Sequence, residues 1–366
     1  MKEFKLSEGS SVFLDFVRGV SAQLVVLGHG IYIFGVFPSM QATKFPSIQD
    51  IAVLVFFLLS GFLITYSTVR KMSNVSGYGF KHFFFDRFSR IYTAFFFSLI
   101  VVALLDFTSQ LIDPSVYLYG ASFDLQNFIG NMLMLQDYPV FAYMPSKIVT
   151  TFGSARPFWT LAIEWWIYLF FGYLMLVIFN KKKVKLPQLI VLGFFSVVPL
   201  FNLIYGRGNG LTTYWVFGAI AYLLMSQNIL DRLHRKTKWI IALLLLLLAG
   251  LRIAITMEEY EPIFAFLLAL ALLFTIDIFK NFKFSERAIK LIRLNASFSY
   301  TLYLVHFSIL ELGKAHFTET IDPYIIFLGG FIVSNIISLI IGHYSETILT
   351  PKVKAYLYKR SESKTS

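Results

Sequence analysis

Apolar runs long enough to cross a bilayer as helices recur along the whole chain, separated by short polar segments. They fall near 13–37, 48–67, 89–107, 157–179, 187–205, 211–227, 239–255, 262–279, 296–317 and 322–348. This pattern predicts an all-α, polytopic transmembrane helical bundle of about ten spans. The region 108–156 is less apolar. Within it, 125–135 reads as a partly inserted helix carrying Asn127, Asn131 and Gln136, either re-entrant or lying at the surface. A full crossing there would turn the lysines after the fourth span to the wrong side.

The polar segments alternate in charge. Arg70, Lys71, Lys81, Arg87 and Arg90 follow the second span, and Lys181, Lys182, Lys183 and Lys185 the fourth. Arg232, Arg235, Lys236 and Lys238 follow the sixth, and Lys280, Lys283 and Arg287 the eighth. A Gly206–Gly210 turn closes the fifth span, and acidic Glu258, Glu259 and Glu261 follow the seventh. The positive-inside rule then places both termini in the cytoplasm, with 352–366 as a short basic tail. The expectation is one integral membrane domain over 1–366, multi-pass in the inner or plasma membrane. No cleavable signal peptide and no appended soluble domain are expected.

Composition sharpens this reading. The chain is 57% hydrophobic and only 14% charged, which no soluble domain of this length needs. Its net charge of +11 resides mostly in the alternate loops, so it marks topology rather than a nucleic-acid partner. The absence of cysteine excludes disulfides, thiolate metal sites and a cysteine nucleophile. The histidines lack the short spacing of a helical metal pair, and no metal is expected. There is no phosphate-binding glycine loop, dinucleotide turn or nucleophile elbow.

Candidate chemistry comes from ionisable groups inside the apolar runs, where they are costly and mark a functional interior. The first run holds Asp15, Arg18 and His29. Eleven positions along a helix is three turns plus roughly 20°, so Arg18 and His29 share one face about 16 Å apart. A neutral imidazole at mid-depth is suited to take a proton from a hydroxyl; the alternative is a buried pair that only pins helices. Glu164 sits in FWTLAIEWWIYLFF, in the outer half of its span, suited to hold an imidazole in one tautomer or to stay protonated as a donor. Trp159 and its neighbours Trp165 and Trp166 read as belt residues. Arg87 and Arg90 share a helix face at the cytoplasmic start of the third span, as topology markers and lipid headgroup contacts or as a phosphate clamp. His306, with Tyr303 one turn before it, is either core or part of the site. Arg252 and Asp277 lie near span ends and are expected to snorkel, and Glu311 has no evident role.

At these residues the chain resembles the acyltransferase 3 family of integral membrane acyltransferases. The resemblance rests on LDFVRGVSAQLVVLGH, with its Arg-x10-His spacing, VFFLLSGFLI, RFSRIY, FWTLAIEWWIY and SYTLYLVH, in the family's order. Leu54 stands where the family often has an acidic residue, and Thr93 where it often has proline. The resemblance implies transfer of an acyl group, usually acetyl, from cytoplasmic acyl-CoA to a hydroxyl of a cell-envelope carbohydrate or lipid-linked glycan. His29 would be the base, supported by Glu164 and Arg18. Arg87, Arg90 and Arg18 would hold the acyl-CoA, which comes and goes as a substrate, with no permanently bound cofactor. His306, Tyr303 and Trp159 are candidate acceptor contacts, and membrane lipids are the other partner. The rival readings are a transporter of polysaccharide units or small solutes and a scaffold that keeps the motifs without the chemistry.

Overall fold

The computed structural model describes residues 4–39, 46–143, 147–180, 183–205 and 210–362. Among them all regular structure is helical. In chain order the helices are α1 (Glu8–Phe34), α2 (Ile48–Asn74), α3 (Phe80–Ile112), the short α4 (Leu125–Met132) and α5 (Phe158–Tyr173). Then come α6 (Leu186–Ile204), α7 (Leu211–Ser226), α8 (Arg235–Thr256), α9 (Pro262–Ile278) and the amphipathic α10 (Glu286–Ser297). Last are α11 (Ser299–Phe317), α12 (Pro323–Gly342) and α13 (Thr350–Glu362). π-helical segments extend α5 over Leu174–Ile178 and join α12 to α13 over His343–Leu349. Each of the ten predicted spans is therefore a helix. Eight are long and apolar enough to cross a membrane; α7, with 16 residues, is shorter, and α11 carries Glu311 and Lys314. The count of ten depends on those two crossing as well. Lys181, Lys182, the Gly206–Asn209 part of the turn and residues 363–366 of the tail lie outside the described residues.

Helix starts follow from capping chemistry. Asp124, Glu261 and Asp322 each accept a backbone N–H of the first turn of α4, α9 and α12, and Pro262 and Pro323 occupy first-turn positions that need no N–H.

The chain forms two compact units. The first comprises Met1–Val25, Ser39–Gly77 and Asn202–Ala296. In it α2 and α7 pack backbone against backbone: a Cβ on Gly61 would strike the Trp215 carbonyl, and one on Gly218 the Leu58 carbonyl. Such small-residue contacts substitute for the missing hydrophobic drive between helices in lipid. The α8–α9 hairpin is tied at both ends by ion pairs, Lys238–Asp277 at 2.5 Å and Arg252–Glu261 at 3.0 Å. Arg252 and Asp277 are thus paired side chains, not the snorkelling ones expected.

The second unit comprises Val26–Pro38, Tyr78–Phe201 and Ser297–Ser366. Its long α3 packs against α5, α11 and α13. Helix α13, within the stretch read as a basic tail, is fixed to α3 by Lys354–Asp86 (2.8 Å) and by Tyr358 donating to Asp86 (3.2 Å). The eight residues of α4 span only about 12 Å, too short to cross. Polar residues of α4 and of the turn after it knit them to the extended segment before α5 and to the first residue of α5. Asn127 Oδ1 accepts from Thr150 N (2.7 Å), Asn131 Nδ2 donates to Thr150 O (2.7 Å), and Gln136 Nε2 donates to Phe158 O (2.9 Å).

Candidate active site

The last part of α1 lies in the second unit and carries His29, whose ring packs against α11 rather than facing outward. His29 Nδ1 lies 3.0 Å from His306 Nε2, and the Phe307 ring meets the imidazole edge-on with centroids 5.2 Å apart. His306 is 0% exposed, and its Nδ1 lies 3.0 Å from the Leu302 carbonyl one turn back. A carbonyl only accepts, so His306 Nδ1 carries the proton of that bond. In neutral His306 the lone pair is then on Nε2, which accepts from His29 Nδ1–H, and the basic nitrogen of His29 is Nε2. The tautomers of both rings are fixed by one backbone oxygen.

Tyr303 stands one turn before His306, with ring centroids 6.1 Å apart, and its hydroxyl shares a 2.5 Å hydrogen bond with Thr160. Thr160, Glu164 and Tyr168 recur every four residues and form one polar face of α5. Tyr168 donates to Glu164 Oε1 at 2.5 Å. Trp165 lies among Phe84, Phe88 and Tyr92, with centroids 5.0–6.5 Å away. This sets Glu164 level with Arg87 and Arg90 on α3, not in the separate outer position read from the sequence. The Tyr300 hydroxyl, buried and without a hydrogen-bond partner among the described residues, lies within electrostatic reach of Glu164, Tyr168, Glu346 and Arg90.

Arg87 is half-buried, with its guanidinium 5.9 Å from the Phe83 ring and a buried Nε that has no hydrogen-bond partner among the described residues. Arg90 is exposed and in no ion pair among the described residues. Asp86, the carboxylate next to Arg87 in sequence, is committed to Lys354, Tyr78 and Tyr358. Two guanidinium forks on one face therefore keep donors for a further anion, as phosphate recognition requires.

Of the residues singled out from the sequence, the second unit brings together His29, His306 and Tyr303 around one point, and sets Glu164 on α5 level with Arg87 and Arg90 on α3. Arg18 belongs to the first unit, where it donates to Asp15 (3.0 Å) and to the Ala296 carbonyl (3.4 Å). Trp159 is half-buried at the start of α5 and makes no hydrogen bond or ring contact among the described residues. Sequence reasoning missed Thr160, Tyr300 and Asp106. A four-residue polar spacing in an apolar helix would have exposed the first, and a carboxylate inside an apolar run the last. Tyr300 carries no such signal.

Searches of curated proteins and of solved structures gave no significant match. The acyltransferase 3 family model, described as an acyltransferase domain, matches residues 11–343, and on that match the chain belongs to this family of multi-pass membrane acyltransferases.

Proposed function

We propose that the protein transfers an acetyl or similar acyl group from acyl-CoA to a hydroxyl of a cell-envelope carbohydrate, with His29 as general base. The observation that carries this reading is the His29–His306 contact, a fully buried imidazole presenting its lone pair to the Nδ1–H of a second one. His29 Nε2 takes the proton of the acceptor hydroxyl as its oxygen attacks the thioester carbonyl. The tetrahedral intermediate collapses, the C–S bond breaks, and the proton returns from His29 to the departing thiolate, giving an ester and free CoA. His306 acts through His29, holding its tautomer and ring plane, rather than contacting substrate. Arg87 and Arg90 bind the phosphates of the donor at the basic end of α3, since a nucleotide of that charge does not enter an apolar interior. Glu164, hydrogen-bonded to Tyr168 and level with the arginines, orients the donor's polar arm. The apolar surroundings limit competing hydrolysis.

Labelled acetyl-CoA incubated with membranes and the envelope glycan of the producing cells tests this. Wild type labels the glycan and releases CoA. His29→Ala, at equal protein level, loses about 10²–10⁴-fold of the transfer rate. Unlabelled glycan with wild type overturns the assignment of reaction; full activity in His29→Ala overturns the base.

A further inference from the structure

Away from the arginines, the second unit has a half-open cavity of about 180 Å³ between the C-terminal ends of α3 and α11 and the loop that follows α3. Asp106, Tyr117, Tyr119, Ser308, Glu311 and Lys314 are among its wall residues. We propose that this cavity binds the hydroxyl-rich part of the acyl acceptor, a sugar unit.

The donor set is the first argument. A sugar offers hydroxyls that both donate and accept, and the wall offers carboxylates to receive, phenols and a serine to do either, and an ammonium to give. Glu311 is in no ion pair among the described residues. Its carboxyl has Tyr119, Lys314 and Arg156 within electrostatic reach. Tyr119 and Tyr117 lie in the loop. Burial, and then the neighbouring carboxylates of Glu311 and Asp106, push their hydroxyls well above the usual range, so both stay protonated. Apolar side chains such as Leu105, Val116 and Leu118 form much of the remaining wall, as is usual for pockets that orient a ligand through a few polar groups.

The second argument is how the wall is built. Asp106 is only 3% exposed and accepts from Ser154 N (2.8 Å) and Ser154 Oγ (2.5 Å), while Ser154 Oγ lies 2.6 Å from Ser308 Oγ. Gly153 takes φ of +51° with its Cα against the Asp106 carboxylate, where a Cβ would not fit. A glycine in the left-handed region, a buried carboxylate and two hydroxyls thus hold the loop before α5 against α3 and α11 at the cavity wall.

Position is the third argument. Ser308 adjoins Phe307, which touches His29, and Glu311 is five residues beyond His306, about 7.5 Å along the helix. Asp106 is sixteen residues beyond Arg90 on α3, about 24 Å. Glu311 shares a face of α11 with Phe307, four residues before it, so a ligand in the cavity lies beyond the Phe307 ring that meets His29 and far along α3 from the arginines, which suits the acceptor and not the donor.

The identity of the ligand as acceptor rests on the acyltransferase reading above, and the test separates the two. The probe is the envelope polysaccharide fraction of the producing cells, partly depolymerised and fluorescently labelled, titrated into the purified full-length protein without acyl-CoA. Wild type binds it. Tyr119→Phe and Glu311→Gln together raise the glycan Kd at least tenfold while CoA binding stays as in wild type. Tyr119→Phe alone, which removes one loop oxygen, raises it by a smaller factor and guards against misfolding of the double variant. Unchanged glycan Kd in both variants overturns the pocket, whatever the transfer assay gives. Pocket-dependent glycan binding by a wild type that transfers no acyl group leaves the pocket standing and overturns the reaction instead.

Discussion

His306→Phe keeps an aromatic ring in a fully buried position and removes one acceptor. In the wild type, His29 Nδ1–H gives its hydrogen bond to His306 Nε2 over 3.0 Å. The variant leaves that donor without this partner, which costs about 1–3 kcal/mol in a site of this kind. His29 escapes the cost by rotating or by moving its proton to Nε2, and either change removes the basic nitrogen from the acceptor hydroxyl. If the productive form was favoured by that same energy, its population falls about 5- to 150-fold, and kcat falls with it. The Leu302 carbonyl loses only its second hydrogen bond, because it already accepts within the helix, so the protein still folds. His306→Gln offers a carbonyl oxygen in roughly the same place and restores part of the rate. The assay is thiol release from acetyl-CoA read with a disulfide dye, and with no cysteine in the chain the protein adds no background. A kcat equal to wild type in His306→Phe would refute the reasoning. So would a loss confined to the KM for acetyl-CoA, since the proposed effect is on the proton acceptor and not on donor binding.

Two further outcomes concern charged side chains of the two units. Arg87→Ala together with Arg90→Ala raises the acetyl-CoA Kd at least tenfold and flattens its salt dependence, measured by equilibrium binding at several ionic strengths; an unchanged Kd removes the phosphate clamp. Lys238→Met leaves Asp277, 8% exposed, without the ammonium now 2.5 Å away and lowers stability by about 3–5 kcal/mol, read as the unfolding midpoint in detergent. Lys238→Arg recovers most of that stability, and equal midpoints for Met and wild type would show the pair to be dispensable.

The helices were legible because a bilayer imposes one requirement on a spanning segment, an apolar run of sufficient length, and sequence displays that directly. Depth and partnership were not. Distance from the lysines after its span puts Glu164 in the outer half, but α5 continues through a π-helical segment and packs on α3 so that Trp165 lies among Phe84, Phe88 and Tyr92. Which helices neighbour each other decides level, and no local pattern encodes that. Arg252 and Asp277 were read as snorkelling because each stands near a span end; their partners Glu261 and Lys238 stand at the opposite end of the adjacent helix, where only the hairpin brings them close. His29 and His306 are each visible as ionisable groups in apolar runs, while a sequence separation of 277 hides their contact. Asp106 escaped notice because a single carboxylate near the end of a run looks like a boundary.

Helix α11 draws these pieces into one mechanical argument. It carries Tyr300 within reach of Glu164 and Arg90, His306 against His29, and Glu311 in the cavity wall. The steps between them are six and five residues, about 9 Å and 7.5 Å of one helix. A helix is stiff over that length, so under the proposed function the axial spacing from donor end to base to acceptor end is set by covalent geometry and not by loops, while the three groups stand on different faces of the helix. Two polar substrates that cannot dissolve in the apolar interior then need only be held at opposite ends of one ruler, with their reactive ends meeting at the histidine. On this arrangement the acceptor can be changed by altering the cavity wall alone, through Tyr119 or Glu311 and the loop residues around them, without moving the base or the donor's arginines.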